Sequence, residues 1–211
     1  MSSVFQNSPE WELGELATRA VRRWLLARGF YLLPVDHLDM GGAPGFIGPG
    51  GRFLTVPDIL AIGGGGAEWH EVKWKSAPVL YQITRRFRTG VDAASWEHYR
   101  RVEAASGLAG HLSLVQLRPG GEAEPEPLLQ TASFARLAGC LTSHAGGGDV
   151  KVWWDCDDFD QFPILDLGDE WRGIDIGPRL IRPWEQKSKQ GEAPRWRPSS
   201  AKPPDEQLGL F

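Results

Sequence analysis

Apolar residues near the start of the chain recur at the spacing of an amphipathic helix. Ser8 suits an N-cap, Pro9 suits the first helical position, and Gly29 suits a helix end. The apolar positions between them are Leu13, Leu16, Ala17, Ala20, Val21 and Trp24. The pattern therefore predicts a helix between Ser8 and Gly29 that packs on a core through one side.

The chain then takes on strand-like composition on both sides of a glycine turn. Residues 53–62 are rich in β-forming side chains, and residues 67–74 alternate in type. The four glycines at 63–66 can supply the positive φ angles of a tight turn. We predict a β-hairpin, and a turn centred on Gly64 and Gly65 would place Asp58 opposite Glu71.

This hairpin would bring two carboxylates together. Directly opposed residues have Cβ atoms about 5 Å apart. Bare carboxylates at that separation repel by about 1 kcal/mol in water and about 4 kcal/mol at the effective dielectric near a protein surface. A hard divalent cation bridging Asp58 and Glu71 reverses this penalty, so the pair predicts a site for Mg²⁺ or Mn²⁺.

Strand alternation places Lys73 on the same face as Glu71. There its ammonium can hold an attacking water or a phosphate oxygen beside a metal. Val72 faces the core instead, yet its carbonyl stays near the site. An aspartate directly after a proline within an apolar strand is a poor structural choice unless something compensates it, which favours a functional role for Asp58.

The order Pro57-Asp58, twelve residues, then Glu71-Val72-Lys73 resembles the motif of the PD-(D/E)xK nuclease superfamily. The resemblance implies an α/β fold with a restriction-endonuclease-like core, in which a mixed central sheet is flanked by helices. It also implies that Asp58, Glu71 and the Val72 carbonyl bind Mg²⁺ or Mn²⁺. Lys73 would then assist phosphodiester hydrolysis.

The same resemblance implies a further glutamate on an N-terminal helix. The Gly-Glu pattern of the family matches Gly14-Glu15, so Glu15 is the predicted fourth member of the catalytic set. Glu12 is the alternative, because it lies closer to the edge of the apolar side of the helix. A third reading, in which both glutamates only aid solubility, is about as plausible as either.

Length and composition set the domain organisation. The 211 residues allow one domain of ordinary core size and a tail. We predict a nuclease-like domain over 1–184, a disordered linker over 185–206 and a short motif over 207–211. The chain lacks a long apolar stretch and a signal peptide, so we expect a cytoplasmic protein without a membrane partner. Two cysteines, Cys140 and Cys156, argue against disulfide, iron–sulfur or zinc-ribbon frameworks.

The formal net charge of −4 does not by itself indicate a nucleic-acid-binding protein. The basic residues are nevertheless clustered, and Arg85, Arg86 and Arg88 follow the strand that carries Lys73. We predict that they contact DNA phosphates. Lys75 shares the face of Lys73 and is a further candidate, with a solvent-exposed lysine as the alternative.

Later segments continue the alternation of strands and helices. We predict a helix capped by Asp92 and ending near Ser106, with its buried side formed by Trp96, Tyr99 and Val102. A strand at 112–117, a helix at 131–144 and a strand at 150–154 follow. Trp24, Trp96 and Trp153 are expected in the core, and His70 is expected to be a packed histidine. The Gly/Pro-rich segment 38–51 is predicted to be a loop over the substrate.

The last five residues, 207–211, end a polar tail with three large apolar side chains. They resemble the sliding-clamp-binding pentapeptide of bacterial replication and repair proteins and depart from it only at Gly209. The resemblance implies that Gln207 fills a small polar site while Leu208, Leu210 and Phe211 enter an apolar pocket of the clamp. The alternative is that the terminus folds back on its own domain.

Together these patterns predict a Mg²⁺-dependent deoxyribonuclease that is structure-directed or nonspecific. Its partners would be DNA and the polymerase sliding clamp, in repair, recombination or replication. Two alternatives stay open. One is a catalytically inactive module of the same fold that binds DNA or a protein, and the other is a nuclease that acts on RNA.

Overall fold

The computed structural model describes residues 8–35, 45–51, 53–75, 78–81, 83–117, 127–144 and 150–164. The predicted linker, the C-terminal pentapeptide and residues 38–44 of the predicted loop lie outside these ranges. The elements in chain order are α1 Pro9–Ala27, β1 Tyr31–Pro34, β2 Gly45–Ile47, β3 Phe53–Thr55, β4 Ile59–Gly63, β5 Gly66–Lys75, β6 Val79–Tyr81, β7 Arg86–Asp92, α2 Ala93–Ser106, β8 Ala109–Leu117, β9 Pro127–Ser133, α3 Phe134–Gly139, β10 Thr142–His144, β11 Lys151–Asp155 and β12 Asp160–Pro163.

Six strands form the central sheet in the order β1-β4-β5-β8-β9-β12. Strands β5 and β8 run parallel, and every other neighbouring pair is antiparallel. One face packs against α1 and the other against α2 and α3. The predicted mixed α/β architecture, with a mixed central sheet flanked by helices, is therefore confirmed.

Helix α1 begins and ends where the sequence predicts. The Ser8 hydroxyl accepts a hydrogen bond from the Trp11 N–H at 3.2 Å, Pro9 occupies the first helical position, and Gly29 has a φ of 83°. The predicted apolar side is buried except for Trp24, which is half-buried. This side packs on Ile59, Ala61 and Val72 of the central sheet. Helix α1 thus covers the face of β5 that carries Val72 and leaves the opposite face for a functional site.

A second sheet has the strand order β10-β11-β7-β6, and all of its neighbouring pairs are antiparallel. It packs on α2 through Val91, Val152 and Trp154, which share a core with Trp96 and Tyr99. Strands β2 and β3 form a small separate hairpin. In the described part of the chain, no helix is both long and apolar enough to cross a membrane.

Three sequence predictions need correction. The strand expected over 53–62 is divided into β3 and β4, because Pro57 interrupts the ladder between them. The helix expected over 131–144 is β9, the short α3 and β10, because pairing with β8 and β12 outweighs the local helical pattern. Trp153 was expected in the core, but it is half-buried and alternates with the buried Val152 and Trp154.

Candidate active site

The β4–β5 hairpin has the predicted register. Its ladder pairs Ile59 with His70 at one end and Gly63 with Gly66 at the other, around a turn at Gly64 and Gly65. This register continues to Asp58 opposite Glu71, although Asp58 lies in a bend just before β4. Pro57 has no N–H to donate, so the ladder stops where the two motif carboxylates lie.

The Asp58 side chain accepts a backbone hydrogen bond from β5 beyond the end of the ladder. Its Oδ2 atom accepts the Val72 N–H at 2.8 Å, and its backbone carbonyl accepts the Val35 N–H at 3.1 Å. The N–H and C=O of one residue in an antiparallel strand point to the same side. The Val72 carbonyl is therefore directed to the edge of β5 where Asp58 lies, as the sequence predicts.

Glu71 is buried, with 5 % of its surface exposed, on the face of β5 opposite α1. Its Oε1 atom accepts a hydrogen bond from the Tyr99 hydroxyl at 2.7 Å and lies 2.5 Å from the Lys73 Nζ. Both contacts are to Oε1, so within the described residues Oε2 is the Glu71 oxygen without a hydrogen bond. The structure thus joins Glu71 and Lys73 directly and adds Tyr99, whose spacing in the sequence predicts only a core residue.

The charges of this group are set by burial and by one another. Burial acts to lower the pKa of Lys73, but the carboxylates of Glu71 and Asp58 outweigh it and hold that pKa well above its ordinary value. Burial, together with the charge of Glu71, raises the pKa of Tyr99. At neutral pH, Lys73 is therefore a cation and Tyr99 a hydrogen-bond donor, and both contact Oε1 of Glu71.

Tyr99→Phe removes only the hydroxyl that donates to Glu71. We expect the free energy of unfolding to fall by about 1.5 to 3 kcal/mol, because the hydrogen bond has a charged, buried acceptor. Urea denaturation of the two proteins measures this difference. Tyr31→Phe is the matched control, since Tyr31 is 79 % exposed, and it should change the free energy by less than about 0.5 kcal/mol. Equal stability of Tyr99→Phe and wild type would contradict the hydrogen bond.

The donor atoms at this end of the hairpin suit a hard cation. Asp58, Glu71 and the Val72 carbonyl offer only oxygen, the ligand type that Mg²⁺ and Mn²⁺ prefer. Among the described residues, no group of three or more His, Cys, Asp or Glu side chains is arranged to hold a metal ion. This finding is compatible with Mg²⁺, which usually keeps several waters and needs only one or two carboxylates. The residues present therefore fit the ion that the motif implies.

Glu15 lies at the same end of the central sheet but on α1, across the sheet from Glu71. Helix α1 runs antiparallel to β5, since Trp24 contacts His70 and the short turn at 28–30 reverses the chain into β1. The N-terminal half of α1 therefore overlies the end of β5 that carries Lys73. Glu15 is half-buried there and Glu12 is exposed. No described contact joins either glutamate to Asp58 or Glu71.

The predicted DNA-contact residues have different environments. Lys75 is half-buried on the face of Lys73, and burial followed by the charges of Lys151 and Lys73 lowers its pKa. Arg85 is exposed and Arg86 is largely so, although Arg86 contacts Asp155 at 3.0 Å. Arg88 is 8 % exposed and its Nε atom lies 2.8 Å from Asp155. Direct phosphate contact by Arg88 is therefore not favoured, because the guanidinium is already buried in an ion pair.

His70 lies on the α1 face and is almost fully buried, as expected of a packed histidine. Its Nδ1 atom is 3.1 Å from the Ser113 hydroxyl, its Nε2 atom is 3.0 Å from Glu68, and its ring stacks on His111 at 4.9 Å. Desolvation lowers the pKa of His70. The His111 Nε2 atom lies 3.4 Å from the same Glu68 carboxylate, so the two histidines and Glu68 form a hydrogen-bonded cluster on this face.

Comparison with known proteins gives a match in structure and none in sequence. Neither a protein family nor a curated protein matches this sequence. The structure is similar to that of a Holliday junction resolvase, Hjc, from the archaeal hyperthermophile Archaeoglobus fulgidus. The two chains are 15 % identical with a TM-score of 0.42, and the match covers 72 % of this chain and 91 % of that chain. At this level of similarity, the residue roles rest on the contacts described above.

Proposed function

We propose that this protein is a Mg²⁺- or Mn²⁺-dependent deoxyribonuclease with a restriction-endonuclease-like core. The observation that supports it most is the convergence of Asp58, Glu71 and Lys73 where the β4–β5 ladder ends. A buried carboxylate is costly unless it is paired or bound to metal. Here the Lys73 ammonium and the Tyr99 hydroxyl offset that cost through Oε1 of Glu71, and Oε2 remains for a further ligand.

Each residue has a proposed task. Asp58, Glu71 and the Val72 carbonyl would hold the metal, which when bound neutralises phosphate charge and lowers the pKa of a water. Tyr99 fixes the orientation of Glu71 through its hydroxyl. Lys73 keeps its proton at neutral pH and so acts as a positioned cation that orients water or a phosphate oxygen.

Three further roles extend this proposal. Glu15 would support the metal shell from the end of α1 that overlies the site. Lys75, Arg85 and Arg86 would contact the DNA backbone, because their side chains lie on or beyond the strand that carries Lys73. We propose structure-directed or nonspecific cleavage, in repair, recombination or replication.

A cleavage panel tests the function. Linear, flapped and four-way DNA are incubated with purified protein in Mg²⁺, in Mn²⁺ and in EDTA. We expect cleavage of at least one substrate with either metal and none in EDTA. Cleavage that persists in EDTA, or absence of cleavage from the whole panel, contradicts the proposal. RNA versions of the same substrates test the RNA alternative, which faster cleavage of RNA would favour.

A noncatalytic module of this fold is the second candidate, because Lys73 already neutralises Glu71 without a metal. Calorimetry with Mn²⁺ distinguishes the two. Heat of binding that disappears in Glu71→Gln supports the enzyme, whereas no Mn²⁺ binding together with retained DNA affinity supports the module.

We also propose that residues 207–211 bind a polymerase sliding clamp. Burial of Leu208, Leu210 and Phe211 would contribute about 5 to 8 kcal/mol before the cost of ordering the tail, which gives affinity near the micromolar range. The linker 185–206 would have a root-mean-square span of about 25 Å, so the catalytic domain could search DNA beside its anchor.

Deletion of residues 207–211 should abolish capture of the protein by immobilised clamp, because the apolar anchor is lost. The same deletion should leave cleavage of short DNA unchanged. A pull-down and a cleavage assay on the two proteins measure these outcomes. Loss of folding upon deletion would instead support a terminus that packs on its own domain.

A further inference from the structure

The second sheet has one face turned away from the core, which we call the outer face. We define it by Tyr81, Arg86, Arg88, Gly90, Lys151 and Trp153. The register pairs Trp153 with Gly90 and Tyr81 with Arg86, so these side chains point the same way. The intervening residues Val91, Val152 and Trp154 are buried on the opposite side. The outer face is therefore not needed to enclose the core.

Two aromatic rings lie half-buried on this face. A Cβ atom at Gly90 would lie 2.4 Å from the Val152 carbonyl oxygen and 3.0 Å from the Trp153 ring, so glycine allows the indole to approach β7 closely. The guanidinium of Arg88 lies 4.0 Å from the centroid of the Tyr81 ring and is held by Asp155. Both rings are thus positioned by their neighbours, which lowers the entropy cost of stacking a ligand on them.

Both signs of charge surround the two rings, and the cations Arg86, Arg88 and Lys151 outnumber the acids Asp92 and Asp155 of the same face. Lys151 and Arg86 have side chains that are 46 % and 60 % exposed and lie at opposite ends of the face, where they pair with Asp92 at 4.0 Å and with Asp155 at 3.0 Å. The turn after β6 adds exposed Arg85, with a φ of 56°, and Ile83, which is 81 % exposed. Turn positions favour glycine and small polar residues, so neither residue is explained by turn stability. An aromatic face bordered by cations suits a flexible polyanion with flat bases.

The outer face adjoins the candidate active site. At one end of the face, the Lys151 Nζ lies 4.0 Å from the Asp92 carboxylate. Asp92 also ends β7 and precedes α2, the helix from which Tyr99 reaches Glu71. From Asp92 to Arg86, β7 extends about 20 Å, which corresponds to several nucleotides of an extended strand.

We propose that the outer face binds single-stranded DNA by stacking unpaired bases on Trp153 and Tyr81, and directs that strand to the active site. Lys151 and Arg86 neutralise the backbone. Duplex DNA hides its base faces, whereas an unpaired arm exposes them, so the preferred substrates carry a single-stranded segment beside the cleaved bond. This inference rests on the proposed nuclease function and names its substrate class.

Binding without metal separates this inference from catalysis. Fluorescence anisotropy in EDTA measures the affinity of the full chain for a labelled single-stranded DNA of about 16 nucleotides and for the matching duplex. We expect Trp153→Leu and Tyr81→Leu each to weaken single-strand binding by about 5- to 150-fold. Duplex affinity should change less. Trp11→Leu is the matched control, because Trp11 is 38 % exposed on α1, and it should bind as wild type does.

Lys151→Gln tests the electrostatic contribution to binding without changing either aromatic ring of the outer face. Loss of one phosphate contact should reduce the slope of log K against log salt by about 0.7 for a single strand. Thermal unfolding of every variant shows whether it is folded. If Trp153→Leu does not fold, Tyr81→Leu and Lys151→Gln decide the question.

Two results would overturn the inference. One is wild-type affinity for single strands in the folded Tyr81→Leu and Trp153→Leu proteins, and the other is an unchanged salt slope in Lys151→Gln. If single strands bind through Trp153 but nothing in the cleavage panel is cut, the proposed binding surface is supported and the nuclease proposal is wrong. If DNA is cut while the variants bind as wild type does, the nuclease proposal is supported and the proposed binding surface is wrong.

Discussion

We expect Glu71→Gln to reduce the proposed metal-dependent DNA cleavage by more than about 100-fold while the protein stays folded. Glutamine keeps an oxygen that can accept the Tyr99 hydrogen bond, so local packing is preserved. It removes the negative charge that a divalent cation needs. Changes to groups that only support a metal ligand already cost 10- to 100-fold, and loss of the ligand itself costs more. Initial cleavage rates at saturating Mg²⁺ measure the effect.

Glu68→Gln is the matched control for this variant. Glu68 is on the same strand, but it contacts His70 and His111 on the face covered by α1, away from Lys73. We expect its cleavage rate to stay within a few-fold of wild type. If the two variants lose activity equally, or if Glu71→Gln cleaves as wild type does, Glu71 is not the metal ligand.

Lys73→Met separates metal binding from chemistry. In the structure the Lys73 ammonium occupies the Oε1 side of Glu71, so its removal takes away a competing cation. We expect Mn²⁺ to bind at least as tightly as in wild type, because Glu71 is left with uncompensated charge. Cleavage should nevertheless fall by about 100- to 10,000-fold, the range for loss of a positioned catalytic group. Calorimetry and single-turnover kinetics measure the two effects.

Lys75→Met is the matched control for Lys73→Met, since it removes an ammonium from the same face without touching Glu71. It should weaken DNA binding, while single-turnover cleavage at saturating DNA stays close to wild type. A Lys73→Met protein that cleaves normally would exclude the proposed role of Lys73. Loss of Mn²⁺ binding in that variant would show instead that Lys73 organises the site.

The sequence was informative where local pattern and chemistry agree. Gly64 and Gly65 centre the hairpin, which fixes the register and hence the approach of Asp58 to Glu71. Strand alternation placed Lys73 beside Glu71 and Val72 in the core. Helix α2 also buries Trp96, Tyr99 and Val102 as its spacing predicts. These features depend on short-range geometry, which sequence spacing encodes.

Contacts between distant elements were not predictable in the same way. Tyr99 has the spacing of a core residue, and nothing in that spacing shows that its hydroxyl reaches Glu71. The arginine cluster predicts that Arg88 contacts phosphate, but pairing of β7 with β11 brings its guanidinium to Asp155. Trp153 and Trp154 are adjacent in sequence, and only the sheet shows which of them faces out. Each of these outcomes depends on strand pairing across a long sequence separation.

Strand β5 serves two purposes with alternate residues. Val72 and Trp74 pack towards α1, whereas Glu71 and Lys73 face the opposite side. A shift of β5 by one position would drive both ionic groups into the helix contact and expose the apolar ones. Misaligned hairpins are therefore rejected by the same hydrophobic force that stabilises the native protein. Chains that complete folding consequently emerge with their reactive groups already aligned.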